Sequence, residues 1–364
     1  MPRSTQLGPL RKRIDRIDDQ LLRLLNRRAA LALEIAARKA KTNALVYAPG
    51  REKGVLERIL RTNGGPLRRQ DLRAIFTEII SASRGLEQTL RVAYFGPEGT
   101  YTHLAARRQF GSSARYVPVS TIADVFREVE ARRAQVGVVP VENSSEGMVA
   151  HTLDLLVASE LHICAEIALA VRHCLLARRD TGLRAVREVA AHPQALAQCR
   201  RWLAAHLPGV RLTEEASNAR ATQRARRERG VAAIAAAEAG ALYGLVPLAE
   251  GIQDEAGNVT RFLVLRERDA DRPTGDDKTS IVVTVRDEVG VLARLLQPFA
   301  RHGIDLIKIE SRPLRERPWE YYFFLDLKGH RRQRKVAQAL AAVARRALSL
   351  RVLGSYPAAL GNDA

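Results

Sequence analysis

The chain changes character at Arg91-Val92-Ala93-Tyr94-Phe95-Gly96-Pro97-Glu98-Gly99-Thr100-Tyr101-Thr102-His103-Leu104-Ala105-Ala106. Residues 92–95 read as a short strand, Gly96-Pro97-Glu98-Gly99 as a turn, and Leu104-Ala105-Ala106 as helix. Downstream, strand and helix patterns alternate to about residue 266, with candidate strands at 116–119, 136–141, 163–176, 189–192, 210–213, 232–235 and 262–265. Such alternation predicts an α/β region with a mainly parallel sheet, long enough for two lobes with a cleft between them.

Upstream, residues 7–90 read as all-helical. Leu10, Ile14, Ile17, Leu21, Leu24 and Leu31 keep a three-and-four spacing, one face of a helix that runs past Lys39 until Pro49-Gly50 breaks the pattern. A second helix carries Val55, Leu56, Ile59 and Leu60 and stops at Asn63-Gly64-Gly65-Pro66. A third carries Leu72, Ile75, Phe76, Ile79, Leu86 and Leu90. One long and two short helices make a poor closed bundle, so a second copy is expected to cover the apolar stripe. At the other end, the polar segment 269–277, with Pro273 and Gly275, reads as a linker. After it comes strand–helix–strand–strand–helix–strand, the ferredoxin-like order. The expected divisions are 1–90, 91–268 and 278–364.

The 364 residues fit two or three domains, and 46% apolar with 27% charged residues excludes a disordered chain. No apolar stretch approaches the ~20 residues of a membrane span, and the charged opening lacks a secretory core. Three cysteines without a C-x-x-C pair argue against a disulfide framework and for a reducing cytoplasm. Lys+Arg number 59 against 40 Asp+Glu, a net charge of +19. Basic runs at 224–229 and 331–335 lie in helical patterns without interleaved aromatics, which reads as solvated faces and not as a nucleic-acid surface.

Some polar residues gain meaning as geometry. Arg28 and Lys39 are three helical turns apart on one face, about 16 Å, and can converge on one small molecule. Arg11 is about 25 Å from Arg28 and rotated roughly 100° around the axis. If all three serve one site, Arg11 comes from a partner subunit; otherwise they are exposed cations on a solvated helix. The Gly96–Thr100 turn opens a helix as a backbone anion site would, but it lacks G-x-G-x-x-G. Pro140-Val141-Glu142-Asn143-Ser144 ends one strand, and Asn258-Val259-Thr260-Arg261-Phe262 opens the last. His162, Cys164, His173 and Cys174 share one apolar stretch and read as core. No metal and no cofactor are expected.

On Leu10-Arg11, Ile14, Ile17-Asp18, Arg28, Lys39, Arg51-Glu52 and Leu86-Glu87-Gln88, residues 7–90 resemble the all-helical chorismate mutase domain. The resemblance implies an intertwined dimer in which Arg11, Arg28 and Arg51 clamp the two carboxylates of chorismate. Lys39 and Gln88 would then bond its ether oxygen, and Glu52 its ring hydroxyl. A Claisen rearrangement needs a compact substrate conformer and stabilised charge on the breaking C–O bond, which suits these residue types. Ala48 and Arg84 stand where some relatives have Asp and a small hydroxyl residue.

Residues 91–266 resemble prephenate dehydratase on Gly96-Pro97-Glu98-Gly99-Thr100, Glu142-Asn143-Ser144, His192-Pro193-Gln194-Ala195 with Gln198-Cys199, and Thr260-Arg261-Phe262. This implies a two-lobed α/β, periplasmic-binding-protein-like fold with its site in the interlobe cleft. Thr260 would assist departure of the ring hydroxyl, by hydrogen bonding more than proton transfer. Arg261 would hook a carboxylate, and Glu142, Asn143, Ser144 and Gln198 would line the pocket. Ala191 and Ser217-Asn218-Ala219 depart from the usual pattern.

Residues 278–357 resemble an ACT regulatory domain, an α+β ferredoxin-like module. Glu310-Ser311-Arg312-Pro313 match its second phenylalanine-binding motif, and Val289-Gly290-Val291-Leu292 stand for the first. The resemblance implies that Gly290, Leu292, Glu310, Ser311, Arg312 and Pro313 bind phenylalanine. The whole order is similar to the bifunctional chorismate mutase/prephenate dehydratases: a cytoplasmic, homo-oligomeric enzyme inhibited by phenylalanine, without nucleic-acid or membrane partners. Two other readings stay open. One is a dehydratase whose helical region serves only dimerisation; the other is a DNA-binding regulator with a two-lobed effector domain, against which the long first helix argues.

Overall fold

The computed structural model describes residues 7–42, 45–269, 272–286, 288–313 and 321–359. The opening residues 1–6, on which the absence of a secretory signal was read, and residues 270–271 of the expected linker lie outside the described residues.

The helical unit consists of α1 (Leu7–Thr42), α2 (Pro49–Thr62) and α3 (Arg69–Glu87). No residue of α1 is buried, and the stripe Leu10, Ile14, Ile17, Leu21, Leu24 and Leu31 is more than half exposed along it. Pro49 sits in the first turn of α2, where its missing N–H costs nothing. α3 ends before Leu90, which was expected on its face. The backbone turns extended at Gln88, and Leu90 is buried in the next unit's core with Tyr47, Val92, Tyr94 and Phe110.

The α/β unit runs β1 (Arg91–Phe95), α4 (Tyr101–Phe110), β2 (Arg115–Val119), α5 (Ile122–Glu130), β3 (Val136–Asn143), β4 (Gly147–Met148), α6 (Ala150–Ala158) and β5 (His162–Ala170) in its first lobe. The second lobe holds β6 (Cys174–Ala177), β7 (Glu188–Ala191), α7 (Pro193–Gln198), α8 (Arg200–His206), β8 (Arg211–Glu214), α9 (Asn218–Arg227), β9 (Val231–Ala235), α10 (Ala237–Tyr243) and β10 (Val246–Glu250). β11 (Val259–Arg266) returns to the first lobe. The sheets run β2-β1-β3-β11-β5 and β10-β6-β9-β7-β8.

Two expectations change here. The single strand expected over 163–176 is two strands in different sheets, because the chain crosses between lobes at residues 171–173. There Val171 N donates to Asn258 O (2.8 Å) and Ile252 N to His173 O (3.0 Å). The sheets are also mixed and not mainly parallel. The returning β11 lies antiparallel to both β3 and β5, and β6 lies antiparallel to β9 and β10.

The last unit comprises β12 (Asp277–Val285), α11 (Val291–Arg301), β13 (Leu306–Pro313), β14 (Tyr321–Lys328), α12 (Arg334–Ala344) and β15 (Ser349–Pro357), with antiparallel sheet order β13-β14-β12-β15. One face packs Ile281, Val283 and Leu325 on Leu295, Phe299 and Leu340 of the helices. The other face adds Val282, Phe324, Leu353 and Tyr356 to the first lobe's Val141, Ile163 and Leu263, so the two units share one core. Gly354 permits this approach: a Cβ there would lie 2.0 Å from the Ile163 carbonyl oxygen.

The helical unit docks on the other side of the same lobe. Tyr47 meets the Phe110 ring edge-on at 5.0 Å and accepts from Gln109 Nε2 at 2.9 Å. Gly111, at φ +69°, lets the chain pass where a Cβ would lie 2.5 Å from that of Ser81. Buried Lys53 of α2 pairs with Asp276 at 2.7 Å, just before β12. Among the described residues no helix is long and apolar enough to cross a membrane, and no group of three or more His, Cys, Asp or Glu is placed to hold a metal.

Candidate functional site

In the helical unit α1, α2 and α3 bring Arg28, Lys39, Arg51 and Glu52 together. Burial lowers the pKa of Arg28, and the nearby charge of Arg51 lowers it further. Arg28 Nη1 donates to Ile79 O (3.2 Å) and to Ser83 Oγ on α3. Two guanidiniums in electrostatic reach of each other favour an anion between them. Lys39 Nζ pairs with Glu87 at 3.1 Å and reaches Val46 O at 3.4 Å. Burial raises the Glu52 carboxyl above its ordinary range, and Arg84 and Lys39 pull against it.

The structure places three further positions of this unit. Arg84, buried on α3, donates to Glu52 Oε1 at 2.7 Å and to Phe110 O at 2.6 Å, so the carboxylate expected to hold a hydroxyl is already engaged. A short side chain at position 84 would leave it open. Gln88 is the exposed residue after α3, where it lines a hollow of about 270 Å³ with Val46, Tyr47, Arg132 and Glu267; its neighbour Glu87 is the residue that meets Lys39. Arg11 is exposed near the start of α1, about 25 Å along the helix from Arg28 of the same chain.

Between the two lobes lies a cleft of about 700 Å³. Asn143 at the end of β3 and Thr260 at the start of β11 are register partners on its first-lobe wall. Asn143 Nδ2 donates to Thr260 Oγ1 (2.9 Å) and to Asn258 Oδ1 (2.7 Å). With its oxygen accepting, Thr260 keeps its hydroxyl proton to donate into the cleft. The chain of bonds continues from Asn258 Nδ2 to Gln198 Oε1 (3.1 Å), from there to His173 Nε2 (3.0 Å), and from His173 Nδ1 to the Tyr101 hydroxyl (3.1 Å). Burial pushes the His173 imidazole below its ordinary range, with the Gln198 hydrogen bond opposing, so the ring is held neutral.

Side chains alternate along a strand, so the residue between Thr260 and Phe262 cannot share their face. Arg261, expected to hook a substrate carboxylate, points away from the cleft to Glu166 (2.9 Å), Asp326 (2.6 Å) and the Tyr356 hydroxyl (3.1 Å). Glu142, expected in the pocket, is its register partner on that far face and pairs with Lys308 as well as Arg261. Ser144 is exposed and caps the strand end, its Oγ accepting from Val259 N at 3.0 Å. Gln198 stands behind Asn258, three hydrogen bonds from Thr260.

Sequence reasoning missed the cation of this cleft. Arg220, in the first turn of α9, is the one Lys or Arg among the described residues that line it. Ser217, the N-cap of α9, accepts from Arg220 N at 3.1 Å and sets the helix start that faces the cleft. The signal was the Ser-x-x-Arg spacing that begins at Ser217. Tyr101 and Asn258 stand inside the sequence motifs, but their contacts and the relay role of His173 carry no local signal, because His173 and Gln198 reach them only where the chain crosses between lobes.

In the last unit the same alternation divides the Glu310–Pro313 motif. Glu310 and Arg312 face the first lobe, and Arg312, expected to bind phenylalanine, is held by Asp154 of α6 through two bonds of 3.0 Å. Ser311 and Pro313 lie on the other face of β13, the side of α11. Gly290, at φ +78°, starts α11, and Leu292 in its first turn is partly exposed.

Three family models match the chain: Chorismate mutase type II over residues 10–88, Prephenate dehydratase over 92–270 and ACT domain over 279–345. A bifunctional chorismate mutase/prephenate dehydratase of Aquifex aeolicus (strain VF5) is 47% identical over 359 residues, 98% of this chain and 99% of that protein. The solved structure of prephenate dehydratase in complex with L-Phe from Arthrobacter aurescens superposes with a TM-score of 0.69 at 35% identity, covering 74% of this chain and 90% of that one. A structure described as GqqA, a novel type of quorum quenching acylase, has the same TM-score at 29% identity, covering 74% of this chain and 98% of that one. The fold therefore carries more than one chemistry, and the residues of the site decide between them.

Proposed function

The chain belongs to the bifunctional chorismate mutase/prephenate dehydratase family, and from that premise we propose how its two activities are laid out. It rearranges chorismate to prephenate, then converts prephenate to phenylpyruvate with loss of water and CO₂. We assign the first step to residues 1–90, the second to 91–268 and the phenylalanine response to 278–364. A match over the full length leaves no ground for the DNA-binding reading.

For the rearrangement, Arg28 and Arg51 take the substrate carboxylates and Lys39 supplies positive charge at the ether oxygen as the C–O bond breaks. Arg11 of a second copy completes the clamp, which requires a dimer through the apolar stripe of α1. Gln88 has no part in this layout.

For the dehydration, the electron pair of the breaking C–CO₂ bond enters the ring and expels the ring hydroxyl. Thr260, oriented by Asn143, donates a hydrogen bond to that departing oxygen. Arg220, from the opposite wall, pairs with the carboxylate of the pyruvyl side chain. A cation on the ring carboxylate would hold back the charge that must flow into the ring, so only the retained carboxylate gains from one. The observation that carries this reading is the Thr260 hydroxyl fixed on one wall of the cleft, with the lining cation on the other.

Phenylalanine, the ligand of the Arthrobacter aurescens structure, is the inhibitor. Ser311, Pro313, Gly290 and Leu292, on the α11 side of the sheet, are its contacts; Glu310 and Arg312 face the dehydratase. The test is to give chorismate to the purified chain and follow prephenate and phenylpyruvate with and without phenylalanine. Formation of both, with the second suppressed by phenylalanine, is expected. Prephenate consumed without chorismate being consumed would remove the mutase.

A further inference from the structure

Beside the cleft, on the far face of its first-lobe wall, lies a closed ionic cluster built by two units of the chain. The α/β unit contributes Arg261, Glu142 and Glu166; the C-terminal unit contributes Asp326, Lys278 and Lys308. Three cations meet three carboxylates. Arg261 Nη1 is 2.6 Å from Asp326 Oδ2, Lys278 is 2.6 Å from Glu166, and Lys308 pairs with Glu142. Ser280 and the Tyr356 hydroxyl complete the cluster at 2.7 Å from each other, and Tyr356 lies 3.1 Å from Arg261. The guanidinium is largely enclosed. Burial works against its charge, but Tyr356, Asp326 and Glu166 outweigh it and hold the pKa above the ordinary value.

The cluster touches the reaction through the backbone. Arg261 follows Thr260 on β11, and Glu142 precedes Asn143 on β3. The two pairs are in register, Thr260 with Asn143 and Arg261 with Glu142, and the pairing shifts immediately after Arg261. The ladder to β3 is irregular just beyond Arg261, whereas the ladder to β5 is regular from Val259 to Val264, so the far-face contacts act on the β3 side, where Asn143 meets the Thr260 hydroxyl. Without Asp326, Lys278 and Lys308, one guanidinium would face two buried or half-buried glutamates, and the contact that draws Arg261 towards the C-terminal sheet would be gone.

We propose that Asp326, a residue of the C-terminal unit, is a positioning residue of the dehydratase site, holding Arg261 so that Thr260 and Asn143 keep their hydrogen bond in the cleft. The proposal rests on the placement of the dehydratase step at Thr260. It makes the C-terminal sheet part of the dehydratase machinery even before an inhibitor binds.

The experiment compares Asp326→Asn, Asp326→Glu, Arg351→Ala and Thr260→Ala in the full-length chain, each assayed for both steps. Asp326→Asn keeps the size and removes the charge. It is expected to lower kcat for prephenate at least tenfold with KM changed less than about threefold, while the mutase rate is unchanged, and Asp326→Glu restores part of the loss. Arg351 makes a separate contact across the same interface, donating to the Ser159 carbonyl at 2.5 Å. Its loss is expected to lower the melting temperature and leave kcat within twofold. If Asp326→Asn matches Arg351→Ala, with a lower melting temperature and an unchanged kcat, the positioning role is overturned. If Thr260→Ala still turns over prephenate, the assignment of the site itself fails, whatever Asp326→Asn does.

Discussion

Thr260 and Arg261 are neighbours in the chain and face opposite ways across one strand, which is why one belongs to the cleft and the other to the interface. Their residue types were legible in the sequence; their directions follow from the two-residue period of a strand, which excludes both from one pocket. The Ser-x-x-Arg spacing from Ser217 marks a helix start at Arg220, but nothing local shows that this first turn of α9 faces a cleft. As the one Lys or Arg among the described lining residues, it has a definite expected effect. Arg220→Ala should raise KM for prephenate about tenfold or more, from loss of a charge-assisted bond worth roughly 1.5–3 kcal/mol, with the mutase step untouched. Steady-state kinetics on prephenate check this, and an unchanged KM would remove Arg220 from the site. His173 sets a pH dependence of stability. Its folded pKa lies below the ordinary 6.5, so below pH 6.5 the unfolded chain takes up a proton that the folded one refuses. Stability therefore falls as pH drops from about 6.5 towards the lowered value. His173→Gln should lessen the fall in melting temperature between pH 7 and 5, the part due to His103, His162 and His330, which burial lowers likewise, remaining; an equal slope in the variant would contradict a neutral buried ring.

At the scale of elements, the strand–turn–helix at 91–106 and the long first helix were legible because each carries an unbroken period. The stretch 163–176 was not: apolar residues flank the lobe crossing on both sides, only Arg172-His173 interrupts them there, and no Gly or Pro marks where β5 ends and β6 begins. The close approach of β15 to β5 was equally hidden, since a glycine in a strand does not announce what lies against it. Gly354→Ala places a methyl group 2.0 Å from the Ile163 carbonyl oxygen, which backbone movement must relieve. A destabilisation of about 1–3 kcal/mol is expected, measured by urea unfolding. Because the same movement disturbs the face that carries the Arg261 cluster, dehydratase activity should fall and mutase activity should hold. A variant as stable as the parent would mean that β15 and β5 do not press together here.

For the whole molecule, the charge of +19 divides into two parts. Much of it is Arg on exposed or ion-paired helix surface, as where Arg224 meets Glu188, Glu215 and Glu228. A few cations stand where dianionic substrates need them. The exposed stripe of α1 suits the proposed second copy, and Arg11 is too far along the helix to serve its own Arg28. Mixing subunits that carry Arg11→Ala with subunits that carry Arg28→Ala, each inactive as a mutase, should restore up to about a quarter of the parental rate. In a mixed dimer one site holds both changes and the other none. No recovery after confirmed exchange would place Arg11 and Arg28 in one subunit's site. The central claim is that one chain carries two separate chemistries, and its most direct measurement is the product pattern from chorismate with Lys39→Ala and Thr260→Ala. Lys39→Ala should leave chorismate unconsumed yet still convert added prephenate, Thr260→Ala should accumulate prephenate, and the two mixed should form phenylpyruvate. If both substitutions left both steps intact, or either abolished both in a folded protein, the two-site account would be contradicted.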